Sequence, residues 1–93
     1  MAKYRTIPTK QFRKDVKTLK KRGYNLSLLE SVVAALANGE ALPEQYLDHP
    51  LKGNRKGYRD CHIQGDWVLI YKIDKGVLTL ILSETGTHSD VLE

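Results

Sequence analysis

The chain has 93 residues, 41% hydrophobic and 28% charged, with one cysteine and a net charge of +4. These values describe one ordinary globular domain over residues 1–93, with room for one modest core. A lone cysteine excludes an internal disulfide, no apolar run approaches the roughly 20 residues of a membrane span, and Met1 to Lys10 lacks the apolar core of a signal peptide, so the expected setting is cytoplasmic with no membrane partner.

Tyr4 to Pro8 reads as a short first strand. Thr9 suits the N-cap of a helix running to about Arg22, whose apolar positions Phe12, Val16 and Leu19 fall at i, i+4 and i+7. That stripe is narrow and the rest of the helix is mostly basic. Residues 1–22 carry nine Lys/Arg against one acid, Asp15, whereas residues 23–93 carry six basic and ten acidic residues. A basic segment on a small domain points to an anionic partner such as nucleic acid; the alternative is a solvated lysine-rich face. Gly23 ends this helix. Asn25 or Ser27 caps a second one, Ser27 and Glu30 having capping-box spacing, and Leu29, Val32, Val33 and Leu36 give it a wider apolar face. Asn38-Gly39 stops it, and the short connection predicts an antiparallel helical hairpin.

Ala41 to Arg55 has no sustained period, and Pro43 and Pro50 exclude a regular helix. It reads as a long loop carrying Tyr46, Asp48 and His49 over the sheet, a kind of segment that is often functional. Strands follow at Gly57–Ile63, Asp66–Ile73 and Val77–Glu84, turned at Gln64-Gly65 and Asp74-Lys75-Gly76. The middle strand is apolar on both faces and therefore central. Leu78, Leu80 and Leu82 make one apolar face of the last strand, which Glu84 shares. The order predicts an α+β domain: an N-terminal strand, a helical hairpin, then a mainly antiparallel sheet of about four strands.

All three histidines fall in the second half of the chain. Alternation puts Tyr58, Asp60 and His62 on one strand face and Arg59, Cys61 and Ile63 on the other, with Cys61 toward the core. Plain structural roles compete at each position: a turn residue before proline for His49, a surface pair for Asp60 and His62, hairpin closure for Asp66, and an exposed terminal loop for His88. Tyr58, Trp67 and Tyr71 read as packing.

Asp48-His49-Pro50-Leu51, then Gly57-Tyr58-Arg59-Asp60-Cys61-His62, then Asp66-Trp67 with Leu69-Ile70-Tyr71, then Thr85-Gly86-Thr87-His88, resemble in order the YafQ branch of the RelE superfamily of bacterial toxins. The resemblance covers about Asp48 to Asp90, and the basic helical half agrees with it. It implies a RelE-like fold and a ribosome-dependent messenger RNA endonuclease encoded with an antitoxin, cutting the codon in the 30S A site without metal or cofactor. The site residues it implies are His49, Asp60, His62, Asp66 and His88. The chain departs at Glu84, where relatives resemble an arginine before Thr-Gly-Thr-His, and at Leu92, where a phenylalanine is usual.

In that reaction the ribose 2′-hydroxyl attacks the adjacent phosphate, one group takes its proton, and another protonates the leaving 5′-oxygen. Histidine suits both tasks, since its unperturbed pKa of about 6.5 lies near working pH. His88 is assigned as general acid and Asp66 or His62 as general base, with His49 holding the phosphate or tuning its neighbours and Asp60 orienting His62 or its turn rather than touching substrate. Lys10, Arg13, Lys14, Lys17, Lys20 and Lys21 on the first helix, with Lys52, Arg55 and Lys56 in the loop, are expected to contact RNA and ribosome, one of the loop cations compensating for an outward-turned Glu84. Two other readings stay open: a weakened relative that binds RNA or antitoxin, and a metal-binding protein using the histidines and aspartates.

Overall fold

The computed structural model describes residues 2–92, and the side chains of residues 2–91. Its elements are β1 (Arg5–Pro8), α1 (Lys10–Lys21), α2 (Leu26–Ala37), β2 (His49–Pro50), β3 (Arg59–Gln64), β4 (Trp67–Asp74), β5 (Thr79–Thr87) and α3 (His88–Leu92). The sheet order is β1-β5-β4-β3-β2, with β1 parallel to β5 and the other pairs antiparallel. The fold is α+β. It holds five strands rather than about four, because the two-residue β2 forms inside the segment expected to be a loop.

Local chemistry sets the helix ends. The Thr9 hydroxyl accepts from the Phe12 amide at 3.1 Å, and Gly23 at φ +85° turns the chain out of α1. Asn25, not Ser27, caps α2: its Oδ1 accepts from the Ser27 amide at 3.1 Å. Phe12 and Leu19 of α1 and Leu29, Val32 and Leu36 of α2 pack with Trp67, Leu69, Tyr71, Leu80 and Leu82 into one core. Both helices therefore cover the same sheet face. Cys61 is fully buried on that face, and burial pushes its thiol up.

Three strand expectations are corrected. Val77 and Leu78 belong to the turn, because Asp74 Oδ1 accepts from the Gly76 and Val77 amides at 2.9 and 3.4 Å and curls the chain there. Leu78 sits at φ +49° and is exposed, so it adds nothing to the apolar face. At the far end β5 continues past Glu84 to Thr87. Within it a bulge opposite Ile70 and Tyr71 inserts Ser83, since Tyr71 pairs with Leu82 and Ile70 with Glu84. One extra residue reverses the alternation, so Glu84 leaves the face of Leu80 and Leu82.

α1 supports that bulge. The Thr9 hydroxyl donates to the Ser83 carbonyl at 2.8 Å, and Asp15 Oδ2 accepts from the Thr85 amide at 3.1 Å. The backbone groups that the bulge removes from the ladder thus find partners on the helix. Asp15, the one acid of a basic segment, is spent on this contact.

Candidate active site

The sheet face away from the helices carries the histidines. Register puts His49 opposite Asp60, Asp60 opposite Ile70 and Ile70 opposite Glu84. The adjacent row is His62, Val68 and Gly86. Directly opposed residues share a face, so both rows look the same way. Beneath them Val68, Ile70 and Val91 form a small second core, with Leu51 and Tyr58 against it.

Each histidine is held by a backbone carbonyl or amide. His49 Nδ1 donates to the Leu47 carbonyl at 2.6 Å, which leaves Nε2 3.7 Å from Asp60 Oδ2. His62 Nδ1 lies 3.3 Å from the Gly65 carbonyl. The His88 amide donates to the Asp66 carbonyl at 2.8 Å, joining those two residues through the backbone. Asp66 itself sits exposed in the β3–β4 turn.

Asp60 lies at the centre and is 1% exposed. Burial raises its carboxyl above the ordinary 3.8, while His49, His62 and His88, in that order of strength, pull it back when protonated. Asp60 was expected to orient His62 or its turn; the imidazole that comes within 3.7 Å of it is that of His49, because β2 lays His49 directly across from it. The expected Tyr58–Asp60–His62 face and its core-facing counterpart with Cys61 are as the alternation has them.

His88 opens α3 rather than lying in a terminal loop. Thr87 Oγ1 accepts from the Asp90 amide at 3.2 Å and Asp90 Oδ2 accepts from the Thr87 amide at 3.1 Å, a reciprocal cap around His88. Arg22 at the end of α1 donates to the same Asp90 oxygen at 2.9 Å, and these bonds hold the Asp90 carboxyl below its ordinary value. Gly86 fits beneath because a Cβ there would meet Asp90 at 3.2 Å.

Four residues of this frame were not singled out from sequence as site supports. Asp48 alternates with His49 and faces the other way, accepting from Arg59 Nε at 3.1 Å and the Tyr71 hydroxyl at 2.5 Å. This polar clasp fixes where β2 begins; burial and the Asp48 bond raise the Tyr71 phenol. Thr85 is buried, accepts from Trp67 Nε1 at 2.9 Å and donates to the Val68 carbonyl at 2.8 Å. Arg22 and Asp90 complete the set. The signal for Asp90 was its spacing of three from Thr87, the capping-box interval.

The cations divide. Lys10, Arg13, Lys14, Lys17, Lys20 and Lys21 are exposed on α1, which packs on the face opposite the histidines. Lys52 and Lys56 are exposed in the connection before β3. Arg55 donates Nη1 to Glu84 Oε2 at 2.6 Å and Nη2 to the Val91 carbonyl at 2.7 Å. Glu84 is thus turned onto the histidine face and paired, not directed outward, because of the bulge before it. The side chain of Leu92 lies outside the described residues. Among the described residues no three His, Cys, Asp or Glu side chains form a group that could hold a metal ion.

The chain thus has a helical pair on one sheet face and its histidines on the other, and it is similar to a class of small bacterial toxins. A family model described as the bacterial toxin of type II toxin-antitoxin system, YafQ, matches residues 4–93. The chain belongs to this YafQ family. It is 44% identical over 80 residues to the mRNA interferase toxin YafQ of Escherichia coli K12, covering 85% of each chain. A putative toxin YafQ of Haemophilus influenzae is 51% identical over 67 residues, 69% of this chain and 66% of that one. Among solved structures, the E. coli DinJ-YafQ toxin-antitoxin complex superimposes with a TM-score of 0.89 at 38% identity, over 98% of this chain and 99% of that one. A metal-bound toxin from Helicobacter pylori gives 0.88 at 43% identity with the same coverage.

Proposed function

We propose that this chain is the toxin of a type II toxin–antitoxin pair, a single domain over residues 1–93 that acts in the cytoplasm as a ribosome-dependent messenger RNA endonuclease. The observation that carries the reading is the placement of His49 and His62 on one sheet face with the buried Asp60, with His88 opening α3 at the end of β5. Relatives named mRNA interferase support the substrate, and a relative in complex with an antitoxin supports a cognate antitoxin as partner. No helix of the described residues is long and apolar enough to cross a membrane.

In the proposed mechanism the message lies over the open histidine face in the ribosomal A site. Asp66 or His62 takes the proton of the ribose 2′-hydroxyl, and that oxygen attacks the adjacent phosphorus. The P–O5′ bond breaks, and His88, held at the first position of α3, protonates the leaving oxygen. His49 binds the phosphate with its Nε2, which lies 3.7 Å from Asp60 Oδ2. Acid–base help of this kind is worth roughly 10² to 10⁴ in rate. Lys52 and Lys56 draw the RNA backbone to the face, while Arg55, occupied by Glu84 and Val91, holds the connection in place.

His88→Ala tests the reading in a ribosome cleavage assay. The expected result is binding within about twofold of wild type and cleavage slowed by about a thousandfold, the mark of a group used in the transition state. Unaltered cleavage by the folded variant removes His88 from the mechanism. The metal-bound relative motivates a second arm: chelator leaves wild-type cleavage unchanged, and inhibition reversed by one divalent ion establishes metal chemistry instead.

A further inference from the structure

β2 pairs with β3 only at Arg59 and Asp60. Among the described residues no strand lies beside the outer edge of β3 beyond Asp60, and the Glu44–Tyr46 turn stands off that edge. The gap is a cavity of about 410 Å³, within the range of small-ligand sites of about 300–1,000 Å³. Tyr46 and Leu47, Gln45 and Gln64, and His62 itself are among the residues that line it, with Leu28 and Ile63 at its apolar side.

The composition of that wall selects a ligand class. It contains no Lys, Arg, Asp or Glu, so neither a phosphate nor a charged side chain is its natural occupant. An aromatic ring and aliphatic surface beside neutral amides fit a flat group with apolar faces and a hydrogen-bonding rim. That is a nucleobase splayed from a single strand.

The cavity is also wired to the histidines. Leu47 adopts the left-handed conformation, φ 48° and ψ 38°, which residues with bulky side chains rarely enter. The result is a side chain 58% exposed at the cavity and a carbonyl that accepts from His49 Nδ1. Gly65, whose carbonyl faces His62 Nδ1, is another part of the same wall. The two residues that aim two histidines thus both line one cavity.

We propose that this cavity is a nucleobase subsite, taking the base of a nucleotide next to the scissile phosphate and registering it at His49 and His62 through Leu47 and Gly65. The proposal rests on the RNA-cleaving reading above. The subsite gives the toxin a base preference at one position flanking the cut.

The test maps cleavage ends on ribosome-bound messages for wild type, Leu47→Trp, which fills the cavity, and Gln64→Ala, which removes an exposed amide. The expected result is a change of about tenfold in the relative use of the four bases at one flanking position, the scale of discrimination that a few pocket contacts supply. Both variants folded and cutting with the wild-type base distribution overturns the proposal. If Leu47→Trp does not fold, Gln64→Ala decides alone. If wild type cuts no ribosome-bound message, the toxin reading fails, and the subsite is decided by titrating the protein with the four nucleoside monophosphates. Amide shifts at Leu47, His62, Gln64 and Gly65 then support it, and their absence sinks it.

Discussion

Asp60 Oδ1 is buried without a hydrogen-bond partner among the described residues, and the carboxyl is raised from 3.8 by its burial. An unsatisfied buried polar atom costs about 1–3 kcal/mol, which a charged group feels most. The sign follows from linkage. With the folded value above the unfolded one, the folded chain binds the proton more tightly, so stability falls as pH rises from the ordinary carboxyl range through the raised value. Above that window the penalty is fully present. Asp60→Asn is therefore expected to raise stability at pH 7 by about 1 kcal/mol, a gain that shrinks as pH falls through the window and is gone below it, while cleavage drops. Denaturant unfolding at several pH values measures it; a variant less stable than wild type at pH 7 refutes the account. The sequence made part of this legible. Two-residue spacing placed Asp60 and His62 on one face, but that His49 lies across from Asp60 depends on the β2 register, for which a two-residue strand leaves no periodicity to read. Asp48 was hidden for the same reason, since its partners Arg59 and Tyr71 are brought to it by pairing alone.

At the level of elements, the decisive pieces are β5 and α3. Three apolar residues in alternation made the core face of β5 look continuous to Glu84, and nothing in Leu-Ser-Glu-Thr marks an inserted residue. The bulge is set from outside the strand, by Thr9 and Asp15 of α1. α3 was missed because five residues are too few for a helical period, although Thr87 and Asp90 hold the capping interval. Asp90→Ala removes the cap, the Arg22 bond and the contact that backs Gly86. Its side chain is exposed enough that global stability should change little. His88, in contrast, loses the frame that sets its direction, and misplacement by about 1 Å can cost about 10²-fold. Single-turnover cleavage reduced ten- to a hundredfold, roughly, with a nearly unchanged melting temperature is the expected pattern. Equal loss in both, or in neither, contradicts a positioning role for α3.

For the whole molecule, charge and chemistry occupy opposite sides of the sheet. Residues 1–22 hold nine Lys/Arg against Asp15, and Asp15 is turned onto β5. The outward side of α1 is consequently almost purely basic, with Lys10, Arg13, Lys14, Lys17, Lys20 and Lys21 all exposed. Sequence revealed this asymmetry but not its placement, because the facing of α1 follows from which sheet face Phe12 and Leu19 bury. On the proposed mechanism the message lies over the histidines, on the other side of the sheet from this surface, and α1 is predicted to grip ribosomal RNA phosphates. Phosphate contacts release counterions, and each contributes about 0.7–0.9 to the slope of log affinity against log salt. Reversing Lys14, Lys17 and Lys21 together is expected to weaken ribosome association and reduce that slope by about 2. Cleavage of message on ribosomes saturated with the variant should proceed at the wild-type rate, because no reversed residue adjoins the histidine face. Binding measured across a salt series, with single-turnover cleavage at saturation, separates the two effects. Unchanged association with collapsed turnover would place the basic helix in the chemistry and defeat this division of the molecule.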